Sequence, residues 1–127
     1  MTYSWIRLDT VLAIHDQQLA AHGGTSGIRD RGLIESALAR PLNRIVYEEA
    51  SIPELAAEYA FGLAMNHGFM DGNKRTAYVV SRLFLRLHGM DFTCSPLDRV
   101  LVFEALGAGR LSEDDFFEWM VGNTASV

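Results

Sequence analysis

The sequence predicts an all-α fold: a single domain over residues 1–127, a bundle of about six helices around a central buried helix. Three observations support this. Apolar residues recur at helical spacing through most of the chain. Serine or aspartate stands just before most of these stretches, where an N-cap oxygen is wanted. No alternating run is long enough to predict a sheet.

The first helix is expected from about Asp9, as N-cap, to Ala21, with Leu8, Val11, Leu12, His15 and Leu19 on one face. Gly23 and Gly24 end it in a loop that continues to Gly27. Asp30 caps a second helix to about Arg40, and Pro41 is expected to stop it. Ile45, Val46 and Tyr47 form a short β-prone run, so residues 42–50 fit either an extended flap or one helical turn. Ser51 and Glu54 form a capping box for a third helix to about Asn66, with Pro53 in its first turn. Its small residues, Ala56, Ala57, Ala60, Gly62 and Ala64, let neighbouring helices approach closely.

The fourth helix is expected from about Asn73 to His88, ending at Gly89. Ala77, Val80, Phe84 and Leu87 make its main stripe, widened by Val79 and Leu83, which places it at the centre of the bundle. Arg75, Tyr78, Arg82 and Arg86 lie near its other side, with Arg82 and Arg86 at a groove edge or in solvent. Residues 91–94 read as an extended connector. Ser95 and Pro96 open a helix to about Leu106, and Ser112 opens the last one, to about Val121.

Composition narrows the function. Hydrophobic residues at 49% and charged ones at 21% are ordinary for a globular domain that builds its own core. The net charge of −5 argues against broad nucleic-acid binding, which needs a basic face, yet allows a small basic pocket. No apolar run approaches the ~18 residues of a membrane span, and the first residues lack a signal peptide's apolar stretch. The single cysteine, Cys94, offers neither an internal disulfide nor a cysteine metal set. A cytoplasmic location is the expectation.

The chemistry is concentrated in His67-Gly68-Phe69-Met70-Asp71-Gly72-Asn73-Lys74-Arg75. Asp71-Gly72-Asn73 signals a turn, so these groups sit on a loop between the third and fourth helices. A helix N-terminus presents free N–H groups and partial positive charge. Lys74 and Arg75 in that first turn oppose the macrodipole, a cost consistent with an anion site, phosphate above all. His67 suits a general base at neutral pH. Asp71 suits a Mg²⁺ ligand beside nucleotide phosphates. Gly72 permits close approach of backbone to phosphate. Asn73 serves either a phosphate oxygen or a helix cap, Lys74 is a point charge, and Arg75 a two-pronged donor. Phe69 reads as an anchor to the core. His15 is expected as a packed boundary residue, His22 as solvated, and His88 as a helix C-terminal imidazole.

The run His-x-Phe-x-Asp-Gly-Asn-Lys-Arg resembles the signature of the Fic/Doc family, commonly His-Pro-Phe-x-x-Gly-Asn-Gly-Arg. Lys74, where most Fic enzymes have glycine, and the short chain resemble the Doc (death-on-curing) branch. The resemblance implies catalytic His67 and Asp71, a metal at Asp71, and ATP phosphates on Gly72, Asn73, Lys74 and Arg75. It implies a toxin that passes the γ-phosphate of ATP, with Mg²⁺, to a threonine of elongation factor Tu and halts translation. It also implies a cognate antitoxin of the Phd kind, whose C-terminal segment fills a groove by the site, and a flap for the protein substrate, for which residues 42–50 are the expected counterpart. Gly68 departs from the common proline and loosens the start of the loop. Tyr78 stands where AMP-transferring members carry a second arginine, which weakens the AMP-transfer reading. No inhibitory Ser/Thr-x-x-x-Glu helix is seen, so restraint is expected from a separate partner. The alternatives are an AMP-transferase on the same scaffold, a non-catalytic helical binding module, and a hydrolase using His67 and Asp71 as metal ligands. The last lacks a second His/Asp or Glu cluster.

Overall fold

The computed structural model describes residues 2–127. Six helices follow one another: α1 Leu8–His22, α2 Arg31–Tyr47, α3 Ile52–Asn66, α4 Asn73–Leu87, α5 Pro96–Gly107 and α6 Glu113–Gly122. The all-α expectation holds, with one addition. Strand β1 (Met90–Phe92) pairs antiparallel with β2 (Thr124–Ser126), Asp91 opposite Ala125. Strands of three residues are too short to leave an alternating pattern. No helix among the described residues is long and apolar enough to cross a membrane.

The most buried helix is α3 rather than α4. Eleven of its fifteen residues are buried, and its charges are confined to Glu54 and Glu58. In α4 one face is buried, through Thr76, Ala77, Val80, Ser81, Phe84 and Leu85, while Leu87 of the expected stripe is half exposed. The three arginines of α4 require solvent or a carboxylate, and that keeps one side of the helix outside. The small residues of α3 act as expected. A Cβ on Gly62 would lie 2.9 Å from both Cα and Cβ of Ala37, so α2 and α3 touch nearly backbone to backbone. Gly62→Ala is therefore expected to destabilise the protein by about 1–3 kcal/mol, read as a lower denaturant midpoint at unchanged slope.

Pro41 does not end α2, which continues to Tyr47 with the proline buried inside it. An internal proline costs about 3 kcal/mol, and charge pairing across to α3 offsets it. Arg40 Nε donates to Glu58 at 2.9 Å, and Arg44 donates to Glu58 at 3.0 Å and to Glu54 at 2.6 Å. These pairs are mostly shielded from water, and they hold the second half of the helix against its neighbour. Residues 42–47 are thus helical, the second of the two forms the sequence left open, and only residues 48–50 lie outside the helix. The cap of α1 also differs: Arg7 occupies the N-cap position without a side-chain bond, and Asp9 sits in the first turn. The caps at Asp30, Ser95 and Ser112 and the Ser51–Glu54 capping box form as expected.

Arg82 and Arg86 are partly in solvent, as the sequence allowed, but their guanidinium groups are engaged on a carboxylate. Arg82 grips both carboxylate oxygens of buried Asp91 at 3.0 Å, and Arg86 adds a bond at 2.9 Å, fastening β1 to α4. The Arg82 hydrogen bond first, then that of Arg86, holds the Asp91 carboxyl far below the usual carboxylate range. A depressed folded-state pKa stabilises the fold above the unfolded value of about 3.9 and loses that contribution as pH falls below it. Asp91→Asn is expected to lower stability at pH 7 by about 1.5–3 kcal/mol and to flatten the loss of stability between about pH 4 and pH 2, measured by urea unfolding across that range.

Candidate active site

Helix α3 ends at His67, whose backbone is left-handed, φ 51°. It is the one non-glycine residue with positive φ among those described. Gly68 is buried against the start of α2, where a Cβ would collide with Ile34 Cγ1 and lie 3.2 Å from the Asp30 carbonyl. The glycine therefore does not loosen the loop; it lets the loop pack. Phe69 is buried, as expected of an anchor, and its ring stacks on His15 at 3.7 Å between centroids. Buried His15 also donates from Nε2 to the Asp71 carbonyl at 2.8 Å, the only role an amide oxygen allows its partner.

Asn73 closes the loop. Its side-chain oxygen accepts from the Phe69 N–H at 3.0 Å, and its amide donates to the Phe69 carbonyl at 3.0 Å. Both ends of the amide are thus engaged on backbone, and the second N–H of the amide remains for the groove that Asn73 lines. Gly72, at φ 77°, turns the chain into α4 and gives it no side-chain cap. The first N–H groups of α4 consequently lack a capping side chain.

The Asp71 carboxylate is exposed and accepts the Thr25 N–H at 3.2 Å and the Gly72 N–H at 2.9 Å. Those two bonds, Thr25 first, with Arg75 and His15 behind them, hold its carboxyl below the usual range. It is ionised at neutral pH. Each oxygen keeps a free lone pair, and one exposed carboxylate is the kind of ligand that Mg²⁺ takes beside phosphates. No cluster of three or more metal-ligating side chains occurs among the described residues, which leaves the hydrolase reading without its ligand set.

Lys74 reaches Glu104 of α5 with Nζ at 2.7 Å, and its stem crosses Gly107, where a Cβ would stand 3.1 Å from Lys74 Cδ. Lys74 holds the Glu104 carboxyl below the usual range. Exposed Arg75 makes no ion pair or side-chain hydrogen bond among the described residues. His67, Asp71, Gly72, Asn73, Lys74 and Arg75 all line one open groove of about 580 Å³, closed on its other sides by residues 22–24 and by Gly107 and Ala108. A second cavity, about 360 Å³, shares Lys74 and Arg75 and continues between α1, α4 and α5 past Val79, Val100 and Phe103. Tyr78 lines it, its hydroxyl accepting from Arg99 at 3.3 Å.

The segment that flanks the loop is residues 23–30, not 42–50. Met70 N–H donates to Gly27 O at 3.0 Å, and Ile28 bridges Phe69. Gly24 has to be glycine, because a Cβ there would lie 2.8 Å from Asp71 Oδ2 at φ 122°. In the sequence, residues 22–27 of this stretch read as a helix-ending loop. The signal it carried was the repetition of glycine, three of them at positive φ.

Residues 5–85 match the model of the Fic/DOC family. The chain is 37% identical over 89 residues to the protein kinase doc of Escherichia phage P1, covering 69% of this chain and 71% of that one. It is 42% identical over 73 residues to the toxin Doc of Mycolicibacterium smegmatis, spanning 55% of each. Both relatives carry Doc names, and the family match takes in the whole motif loop with α1 to α3 and most of α4: this chain belongs to the Fic/DOC family.

Proposed function

We propose that the protein is the toxin of a toxin–antitoxin pair and acts as a protein kinase. It takes ATP as phosphoryl donor and modifies a Ser/Thr hydroxyl of a translation factor, with elongation factor Tu as the expected target. The observation that carries this reading is the shared groove. The His67 imidazole, which makes no hydrogen bond among the described residues, an ionised carboxylate at Asp71 and the cations of Lys74 and Arg75 line one open space. The names of the two relatives, a kinase and a toxin, point the same way.

In this reading His67 removes the proton of the target hydroxyl. The hydroxyl oxygen bonds to the γ-phosphorus, the bond from that phosphorus to the β–γ bridging oxygen breaks, and ADP leaves with the electron pair. Positioned base catalysis of this kind contributes about 10²–10⁴-fold. Phosphoryl transfer asks for little else besides positioning and charge neutralisation. Lys74 and Arg75 supply positive charge, and the uncapped N-terminus of α4 supplies backbone donors. Asp71 is the residue that fits Mg²⁺, which when bound neutralises phosphate charge. Asn73 acts through loop shape, since Phe69 engages both ends of its amide. Lys74 leaves Glu104 when phosphate binds. The antitoxin's C-terminal segment is assigned to the cavity between α1, α4 and α5, whose lining includes the exposed side chain of Val100.

The test is incubation with a translation extract and ATP labelled separately at the γ- and α-phosphate. Label from the γ-position alone on one protein is the expected result. Label from the α-position means AMP transfer, and no transfer of either label means a binding module.

A further inference from the structure

We propose that Arg29 is a positioning residue for His67: its guanidinium holds the end of α3 in the one conformation that sets the imidazole at the motif groove. The proposal rests on the reading of His67 as base. It begins from an omission in α3. A helix that ends in a left-handed residue normally recovers its last carbonyls through backbone N–H groups of the residues that follow. In α1 that bond forms, from Gly23 N–H to Leu19 O at 2.7 Å. At the left-handed end of α3 no cap N–H bonds back into the helix.

Arg29 takes its place from outside. Nη2 donates to Asn66 O at 3.2 Å and Nε to His67 O at 2.7 Å. The backbone N–H groups of Arg29 and Asp30 both donate to Gly68 O, at 2.8 and 2.9 Å. Three successive carbonyls, 66 to 68, are therefore met by one dipeptide. Arg29 forms no ion pair with a carboxylate among the described residues, so its charge is directed at the negative end of the α3 dipole. Asn66 adds a side-chain bond to Leu33 O at 2.9 Å, tying the same helix end to α2.

The need for such a clamp is physical. A non-glycine residue in the left-handed region is strained by about 1–2 kcal/mol, and it persists only where its surroundings over-determine it. Relaxing His67 to ordinary helical angles would continue α3 and swing the imidazole away from Asp71 and Lys74. The same dipeptide belongs to the segment whose Thr25 N–H binds Asp71, so residues 25–30 hold the base and the carboxylate in one frame. Displacement of a reacting group by about 1 Å costs about 10²-fold in rate.

The experiment compares Arg29→Ala, Arg29→Lys and His67→Ala with the unaltered protein, in γ-label transfer kinetics and in ¹H–¹³C NMR of the histidine rings. Arg29→Ala is expected to lower kcat about 10–100-fold, with the KM for ATP changed less than about twofold because Lys74 and Arg75 are untouched. The His67 ring signal moves, whereas those of His15 and His88 stay. Arg29→Lys, which reaches one carbonyl, recovers part of kcat, and so does free guanidinium added to Arg29→Ala. An unchanged kcat and an unmoved His67 signal would overturn the proposal, as would a parallel loss in kcat and ATP affinity that neither lysine nor guanidinium relieves. If His67→Ala transfers label as well as the unaltered protein, the base assignment fails. The His67 ring signal still decides whether Arg29 positions that residue.

Discussion

Replacing His67 with alanine is expected to reduce γ-phosphate transfer by about 10²–10⁴-fold and to abolish growth arrest when the protein is expressed alone. The imidazole makes no hydrogen bond among the described residues and lies exposed at the groove, so its loss removes a proton acceptor without removing a contact that holds the fold. Alanine inherits the left-handed backbone at φ 51°, which Arg29 and Gly68 impose from both sides. The thermal midpoint is therefore expected to move little. Retained arrest with the fold intact would assign the toxicity to binding rather than to catalysis. The loss should fall on kcat, since the phosphate contacts lie on other side chains.

Asp71→Asn is the second variant with a large effect. The change keeps the side chain's shape and one carbonyl oxygen for the Thr25 or Gly72 N–H, but it removes the charge. The surroundings hold the carboxyl below the usual range, so the native group is fully ionised wherever the protein is folded and neutral pH prevails. Charge stabilisation by a bound metal is worth several kcal/mol, and losing its anionic ligand is expected to lower kcat/KM by roughly 10²–10³-fold. The magnesium concentration that half-saturates activity should rise together with that loss. The loop itself stays closed, because Asn73 and His15 fasten it through backbone carbonyls of Phe69 and Asp71. An unchanged magnesium dependence would remove Asp71 from the ligand role.

What the sequence disclosed was local. The Ser51–Glu54 box, the Asp71-Gly72-Asn73 turn and the serine caps at 95 and 112 are decided by residues within one turn of each other, and all of them form. The six loop residues could be chosen together because they are consecutive or nearly so. What remained hidden acts through space. His15 stands 56 positions from the carbonyl it binds, and Arg29 stands 37 and 38 from the two its side chain caps. No period or motif links such pairs. His15 was readable only as a polar ring on an apolar face that needed a partner. Pro41 misled because its local cost is known, whereas the pairing of Arg40 and Arg44 with Glu58 is a property of two packed helices. Centrality went to α4 because its apolar stripe is broad. Yet α3, with fewer charges, is the one the bundle encloses.

A crystal structure of the protein with magnesium and a non-hydrolysable ATP analogue bears directly on the phosphate assignment. The terminal phosphate should lie in the groove of His67 and Asp71, in contact with Lys74 and Arg75, with Lys74 released from Glu104. An analogue whose α-phosphate occupies that position, or a groove that stays empty at saturating analogue while Lys74 remains on Glu104, would contradict it.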